Sequence, residues 1–127
     1  MKMKKIINYQ NAPKPIGAYS QAVLKNGTLY ASGQIAINPQ TGELNVGTIE
    51  EETKQVMENI KNVLRGADMN FSNLVKCSIF LSDMNYFEQV NKIYASYFNE
   101  APPARETVAV LGLPKGVNVE ISFIAQV

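Results

Sequence analysis

Arg105 is the first candidate for a functional side chain in this 127-residue sequence. It follows the Pro102–Pro103 pair at the start of a β-branched run. Proline fixes its own φ and restrains the residue before it, so the backbone at this arginine should be held stiffly. A guanidinium offers a planar fork that binds a carboxylate through two hydrogen bonds. The alternative, which spacing alone favours, is an exposed arginine beside Glu106.

Glu120 is the second candidate for chemistry. It lies between Val119 and Ile121, so strand alternation places it on the face opposite the apolar one. If that face is an oligomer interface, the carboxylate is partly desolvated and can act as a general base or hold a water molecule. The alternative is an edge-strand charge that limits aggregation.

Five other positions carry weaker signals. Tyr19 can donate its phenol to a ligand oxygen, or it can be a packed strand aromatic. The small pair Ser32–Gly33 interrupts a strand, which is typical of a bulge or of a close backbone approach. Asn91 is typical of an exposed helix asparagine. Cys77 alternates with apolar residues and is interpreted as a buried small hydrophobe without a catalytic role.

The missing residue types exclude several classes of site. The chain contains no histidine and a single cysteine. Serine–histidine–aspartate, cysteine–histidine and zinc sites therefore cannot be built, and no acidic cluster indicates Mg²⁺ or Ca²⁺, so we expect no metal. The balance of 12 basic and 11 acidic residues gives no footprint for nucleic acid. One cysteine and the absence of a signal peptide or membrane-length apolar stretch favour a cytoplasmic protein.

Periodicity predicts one domain over residues 1–127, with the element order β-β-α-β-α-β-β. Asn26-Gly27 is a strong signal for a hairpin, and Thr48 and Glu51 have capping-box spacing at a helix start. The predicted elements are an extended arm over 1–16, strands over 18–25, 28–37, 74–82, 105–112 and 117–127, and helices over 48–69 and about 85–98.

The apolar faces of these elements predict how they pack. Apolar side chains alternate in the third and last strands, at Val75, Cys77, Ile79 and Leu81 and at every second residue from Val117 to Val127. We expect a mixed sheet with both helices on one face. Phe80 and Ile124 point to the other face, and a half-apolar uncovered face indicates a homo-oligomer.

Read in order, five segments resemble the RidA/YjgF family of reactive intermediate deaminases, in register from about residue 5 to residue 127: IGAYSQA, ASGQIAINPQTGEL, VNKIYASYF, PPAR and LPKGVNVEISFIA. The resemblance implies an α+β, chorismate-mutase-like fold and a homotrimer with a central barrel and clefts at the subunit interfaces. It also implies hydrolytic deamination, without a cofactor, of 2-enamine and 2-imine acids such as 2-aminoacrylate and 2-iminobutanoate. The products are 2-oxo acids and ammonia.

The same resemblance implies roles for individual residues. Arg105 holds the substrate carboxylate, and Glu120 orients or deprotonates the attacking water. Tyr19 lines the cleft from a neighbouring subunit and is the third implied catalytic residue, which hydrogen-bonds the substrate or helps proton transfer. Further substrate contacts are implied for the backbone of Gly33 and Thr107, with Ser32 and Asn91 near the cleft.

The chain departs from the family pattern at Ala18, Glu106 and Thr107, where many members have proline, a small or hydroxyl residue, and in some cases cysteine. Strand alternation places Glu106 opposite Arg105, so little harm to anion binding is expected. Two other functions are open: a trimeric carboxylate-binding or regulatory protein without turnover, and a translation inhibitor or endoribonuclease. The pairing of Arg105 with Glu120 favours the enzyme, since a pure carboxylate binder needs only the arginine.

Overall fold

A computed structural model describes residues 3–127 as one six-stranded sheet with two α-helices. The strands are β1 (Lys5–Ile7), β2 (Ala22–Lys25), β3 (Thr28–Gln34), β4 (Leu74–Leu81), β5 (Ala104–Ala109) and β6 (Val119–Gln126), and the helices are α1 (Ile49–Gly66) and α2 (Phe87–Ala95). Across the sheet the order is β1-β2-β3-β6-β4-β5. Only the β4–β5 pair is parallel, so the predicted mixed sheet is confirmed.

The core lies between the sheet and the helices. Leu29, Ile79 and Ile121 point from three central strands toward the apolar side of α1, where Val56 and Ile60 are fully buried. Cys77 is also fully buried, and desolvation raises the pKa of its thiol. Its interpretation as a buried small hydrophobe is confirmed.

Helix α1 begins where its capping signal predicts and ends earlier than its apolar periodicity predicts. The Thr48 hydroxyl accepts a hydrogen bond from the Glu51 amide at 3.0 Å, so the helix starts at Ile49. Its end is set by Asp68, whose φ of 57° lies in the left-handed region. The amide of Met69 then bonds back to the Leu64 carbonyl, so residues 67–69 close the helix as a turn.

The N-terminal arm contributes a strand that the sequence did not reveal. Residues Lys5–Ile7 pair antiparallel with β2 as β1. Three residues are too few to show a period of two, so only the tertiary pairing defines this strand. Beyond it, the buried Gln21 side chain bonds to backbone groups of Tyr9, Ala12 and Pro13, which fixes the arm against the sheet. Strand β2 accordingly starts only at Ala22, not at residue 18.

Two predicted core positions are wrong. Leu74 pairs with Ala125 while Lys76 pairs with Ile124, so Val75 is an extra residue in a bulge. Leu74 is therefore buried in place of Val75, which is 48% exposed. Val127 lies beyond the end of β6 and is 82% exposed. The other predicted boundaries differ by up to three residues, with β3 ending at Gln34, α2 covering Phe87–Ala95 and β5 covering Ala104–Ala109.

A buried carboxylate anchors the start of β6. Glu52 of α1 is fully buried and accepts hydrogen bonds from the amides of Asn118 and Val119, at 2.7 and 2.9 Å. It also accepts one from the Asn118 side-chain amide at 3.0 Å. Three donors compensate the desolvation of this anion. The contact fixes the backbone directly before Glu120.

We expect Glu52→Ala to lower the free energy of unfolding by about 3 kcal/mol, because it leaves buried amides without a partner. Urea denaturation at matched protein concentration measures this change. Glu51→Ala is the matched control, since it removes an exposed first-turn carboxylate and should cost less than about 0.5 kcal/mol. Equal losses in the two variants would show that the buried hydrogen bonds are not the cause.

The sheet face away from the helices is open and partly apolar. Phe80 and Ile124 are half-buried there, as predicted, and Tyr30 is 53% exposed beside them. Glu106 also lies on this face, where it forms an ion pair with Lys76 at 2.8 Å. In residues 3–127, neither α-helix is long and apolar enough to cross a bilayer.

Candidate functional site

A bulge in β3 brings Gly33 against Glu120. The pairing of β3 with β6 shifts between Ala31 and Gln34, so the Ser32–Gly33 pair interrupts the ladder as the sequence predicts. A Cβ at Gly33 would stand 2.8 Å from the Glu120 carboxyl carbon. Glycine is therefore required for this close approach. The Ser32 hydroxyl donates to the Ser20 carbonyl at 2.7 Å and holds the bulge to the preceding segment.

These residues line a cavity of about 340 Å³ in a single chain. Its polar wall includes Lys14, Tyr19, Ser32, Gly33 and Glu120, and its apolar wall includes Ile16, Ile35 and Ile37. The Tyr19 ring is 47% exposed, and its hydroxyl oxygen accepts a hydrogen bond from the Ile16 amide at 3.1 Å. That hydroxyl keeps its proton available for a ligand oxygen.

The surroundings of Glu120 in this cavity make its carboxylate more basic. It lies on the open face of the sheet, as strand alternation predicts, and no ion pair in residues 3–127 includes it. Burial raises the pKa of its carboxyl above the ordinary value of 4.5. Lys14 lines the same cavity but forms no ion pair with Glu120, so burial makes this carboxylate a stronger base than a solvated one.

Arg105 lies in a different cavity, of about 490 Å³, between β5 and α2. It pairs in parallel register with Cys77, so its side chain lies on the helix side of the sheet. The guanidinium donates to Asn91 Oδ1 at 2.6 Å, and no ion pair of the described chain includes it. The alternative of a solvated surface arginine is therefore wrong: this cation is half-buried and has no carboxylate partner.

Asn91 and two aromatic residues surround this guanidinium. Asn91 is half-buried and bonded to Arg105, so its interpretation as an exposed helix residue is wrong. The Arg105 Cζ lies 5.6 Å from the Phe87 ring centroid and 5.1 Å from that of Tyr94. From the sequence, Phe87 and Tyr94 can be interpreted only as part of the apolar stripe of the second helix. Their spacing of four and three residues around Asn91 is the signal that could have placed them beside it.

Thr107 follows Arg105 on the same side of β5, opposite Ile79. Its hydroxyl oxygen is buried and has no hydrogen-bond partner in residues 3–127. Glu106, between them, faces the other side and bonds to Ser78 and Lys76. The prediction that Glu106 points away from Arg105 is confirmed.

The two groups of candidates lie on opposite faces of the sheet. Tyr19, Ser32, Gly33 and Glu120 line one cavity, and Asn91 and Arg105 line the other. Strand β4 also lies between β6, which carries Glu120, and β5, which carries Arg105. One chain therefore does not bring its arginine and its glutamate to one substrate. Among the described residues, no cluster of three or more acidic or cysteine side chains has the arrangement of a metal site.

We expect Gly33→Ala to displace the Glu120 carboxylate, because the added methyl would lie well inside contact distance of its carboxyl carbon. Any reaction that uses this carboxylate should slow at least about tenfold, since small misplacements of a catalytic group are costly. Gly112→Ala is the matched control, because its Cβ would meet no atom within 4 Å. Equal activities for the two variants would contradict a role for this close approach.

Known proteins resemble this chain in both sequence and fold. A family model described as Endoribonuclease L-PSP matches residues 9–127. The chain belongs to this family, which is also known as RidA/YjgF. A relative from Rattus norvegicus named 2-iminobutanoate/2-iminopropanoate deaminase is 46% identical over 123 residues, covering 97% of this chain and 90% of that protein.

Solved structures of family members share the whole architecture. A Rid-family protein of unknown function from Yersinia pestis superposes with a TM-score of 0.95 at 52% identity, covering 98% of this chain and 100% of that one. E. coli TdcF with bound serine superposes with a TM-score of 0.93 at 35% identity, covering 97% and 98%. The α+β fold with a mixed sheet and two helices is thus the fold of this family.

Proposed function

We propose that the protein hydrolyses small 2-imino and 2-enamino acids to 2-oxo acids and ammonia. The observation that carries this proposal is the pair of unmatched charges: Arg105, a half-buried cation, and Glu120, a half-buried carboxylate, each lining a cavity. The names of the deaminase relatives support the same substrate class. TdcF with its bound serine supports a ligand that carries a carboxylate and a nitrogen on the same carbon.

Because Arg105 and Glu120 lie on opposite faces of one sheet, the proposed active site uses two copies of the chain. One copy contributes Arg105 and Asn91, and its neighbour contributes Glu120, Gly33 and Tyr19. The unmatched charges are complementary, which favours this head-to-tail contact over a contact between like surfaces. Repeating the contact around a ring gives the homotrimer that the family resemblance implies.

The chemistry in such a cleft follows from the groups present. The Arg105 guanidinium binds the substrate carboxylate and fixes the C=N carbon relative to the neighbouring chain. Glu120 takes a proton from a water molecule, whose oxygen adds to the imine carbon. That proton passes to the nitrogen, which gives a neutral carbinolamine. Glu120 then takes the carbinolamine hydroxyl proton and passes it to the nitrogen as the C–N bond breaks, so ammonia leaves with the 2-oxo acid and the carboxylate is regenerated. An enamine first accepts a proton at its terminal carbon, for which the Tyr19 hydroxyl is the proposed donor.

Cleavage of RNA, as in the name of the family model, is less compatible with these cavities. The carboxylate of Glu120 would repel a phosphodiester, and the net charge of +1 provides little phosphate attraction. Each cavity is lined by one cation, Lys14 in one and Arg105 in the other, whereas an RNA backbone needs several.

A coupled assay tests the proposal. Threonine dehydratase generates 2-iminobutanoate, semicarbazide traps it, and this protein should reduce semicarbazone formation in proportion to its concentration. Gly112→Ala serves as a folded positive control. If wild-type protein binds 2-oxobutanoate but leaves both 2-iminobutanoate and 2-aminoacrylate to the trap, the protein is a carboxylate-binding protein without turnover.

A further inference from the structure

We propose that Phe87 and Tyr94 are positioning residues for carboxylate recognition, because their rings hold the Arg105 guanidinium in a binding-ready orientation. This inference rests on the proposed assignment of Arg105 to the substrate carboxylate. It adds two side chains that act through the arginine and touch no reacting atom themselves.

The three residues around Arg105 form a platform on α2. Phe87, Asn91 and Tyr94 are spaced four and three residues apart, so they lie on one helix face. The Arg105 Cζ is 5.6 Å from the Phe87 centroid and 5.1 Å from the Tyr94 centroid, both within cation–π range. The Asn91 Oδ1 accepts from one terminal nitrogen at 2.6 Å and sets the rotation of the guanidinium about its axis.

This platform fixes the cation without neutralising it. A guanidinium has five N–H donors, and Asn91 is the hydrogen-bond acceptor that the described chain provides for it. Ring faces attract the positive charge but do not compete as a carboxylate does. The remaining donors therefore stay available for an incoming carboxylate, and β5 holds the arginine backbone.

Preorganisation is the expected benefit. A free arginine side chain loses rotamer entropy when it is fixed. If the platform fixes it before the ligand binds, binding does not include that cost. Arg105 should contact the carboxylate equally in the bound substrate and in the transition state, so loss of a ring should raise KM and leave kcat nearly unchanged.

The chain also provides controls that separate a ring from its substituent. The Tyr94 hydroxyl is buried beside the Cys77 thiol, and the contact with Arg105 is made by the ring, so Tyr94→Phe keeps the platform. Phe87 is only half-buried, so Phe87→Leu removes a ring at modest cost to the core. Phe87→Tyr retains a ring at the same position.

The first experiment measures binding of 2-oxobutanoate by calorimetry, together with KM and kcat for 2-iminobutanoate. Phe87→Leu should raise Kd and KM about fivefold, while kcat stays within about twofold. Phe87→Tyr and Tyr94→Phe should leave Kd within about twofold of wild type. An unchanged Kd in a folded Phe87→Leu variant would overturn the inference.

A double-mutant cycle separates positioning from general packing. In an Arg105→Met background, where 2-oxobutanoate binding is followed by NMR titration at millimolar concentration, Phe87→Leu should change Kd less than about twofold. The same fivefold loss in that background would show that the ring acts without Arg105, and would also overturn the inference.

One measurement on the wild-type protein does not depend on any variant folding like it. The guanidinium N–H signals of Arg105, assigned by their loss in Arg105→Met, should be shifted upfield by the two rings. Signals at the ordinary position of a solvated arginine would contradict the platform.

If 2-oxobutanoate binding follows the predicted pattern but no imine is hydrolysed, the proposed function fails and the platform stands. If imines are hydrolysed but Phe87→Leu leaves Kd unchanged, the proposed function stands and the platform fails.

Discussion

Mixed oligomers of Arg105→Ala and Glu120→Gln chains are expected to regain imine hydrolysis that neither variant shows alone. Each variant alone should lose about 100-fold or more, because every site lacks either the carboxylate anchor or the base. In an equal random mixture, about a quarter of the sites join an intact Arg105 from one chain to an intact Glu120 from its neighbour. Activity should therefore recover to about a quarter of wild type per chain.

The measurement is the semicarbazide assay on variants refolded together, with different tags and native mass spectrometry to show that mixed oligomers form. Gly33 and Glu120 line the same cavity of one chain, which provides an internal control. Gly33→Ala should complement Arg105→Ala and should not complement Glu120→Gln. Mixed oligomers without any recovered activity would mean that the two charges do not share a site.

The sequence indicated the identity of the candidate site residues clearly. It indicated less clearly which of them lie together in the fold. Glu120 stands in a strand with strict apolar alternation, so its face could be predicted. Strand β5 has no such contrast: Arg105 and Thr107 alternate with Glu106 and Val108, and neither set is plainly apolar. Only the parallel register with β4 places Arg105 beside Cys77, on the helix side.

The errors in the fold have the same origin in long-range pairing. A single extra residue at Val75 reverses the face that alternation assigns to it, and no local signal marks that bulge. Strand β1 exists only because β2 lies beside it. By contrast, the Thr48 cap and the Asn26-Gly27 turn depend on neighbours within a few residues, and both occur where predicted. Features that local chemistry determines could be predicted, and those that distant partners determine could not.

The imine hydrolysis rate should fall toward acid pH with the titration of Glu120. Burial raises the pKa of this carboxyl, and the reaction needs its ionised form. The wild-type rate should therefore reach half of its plateau at a pH above 4.5, the ordinary glutamate value. Glu120→Gln should lower kcat about 100-fold and abolish the fall in rate toward acid pH. Glu120→Asp should hydrolyse imines slowly but keep this acid limb of the pH–rate profile. A limb that persists unchanged in Glu120→Gln would assign it to another group.

Protein stability provides a check on Glu120 that needs no substrate. A raised pKa means that the folded chain binds the proton more tightly than the unfolded chain does. Between the unfolded and folded pKa values, the unfolding free energy must then decrease as the pH rises. Wild type should lose stability relative to Glu120→Gln as the pH rises from about 4 to neutrality, and the difference should level off above the folded pKa. A difference independent of pH would mean that the carboxyl is solvated, and the desolvation that makes Glu120 a suitable base would be absent.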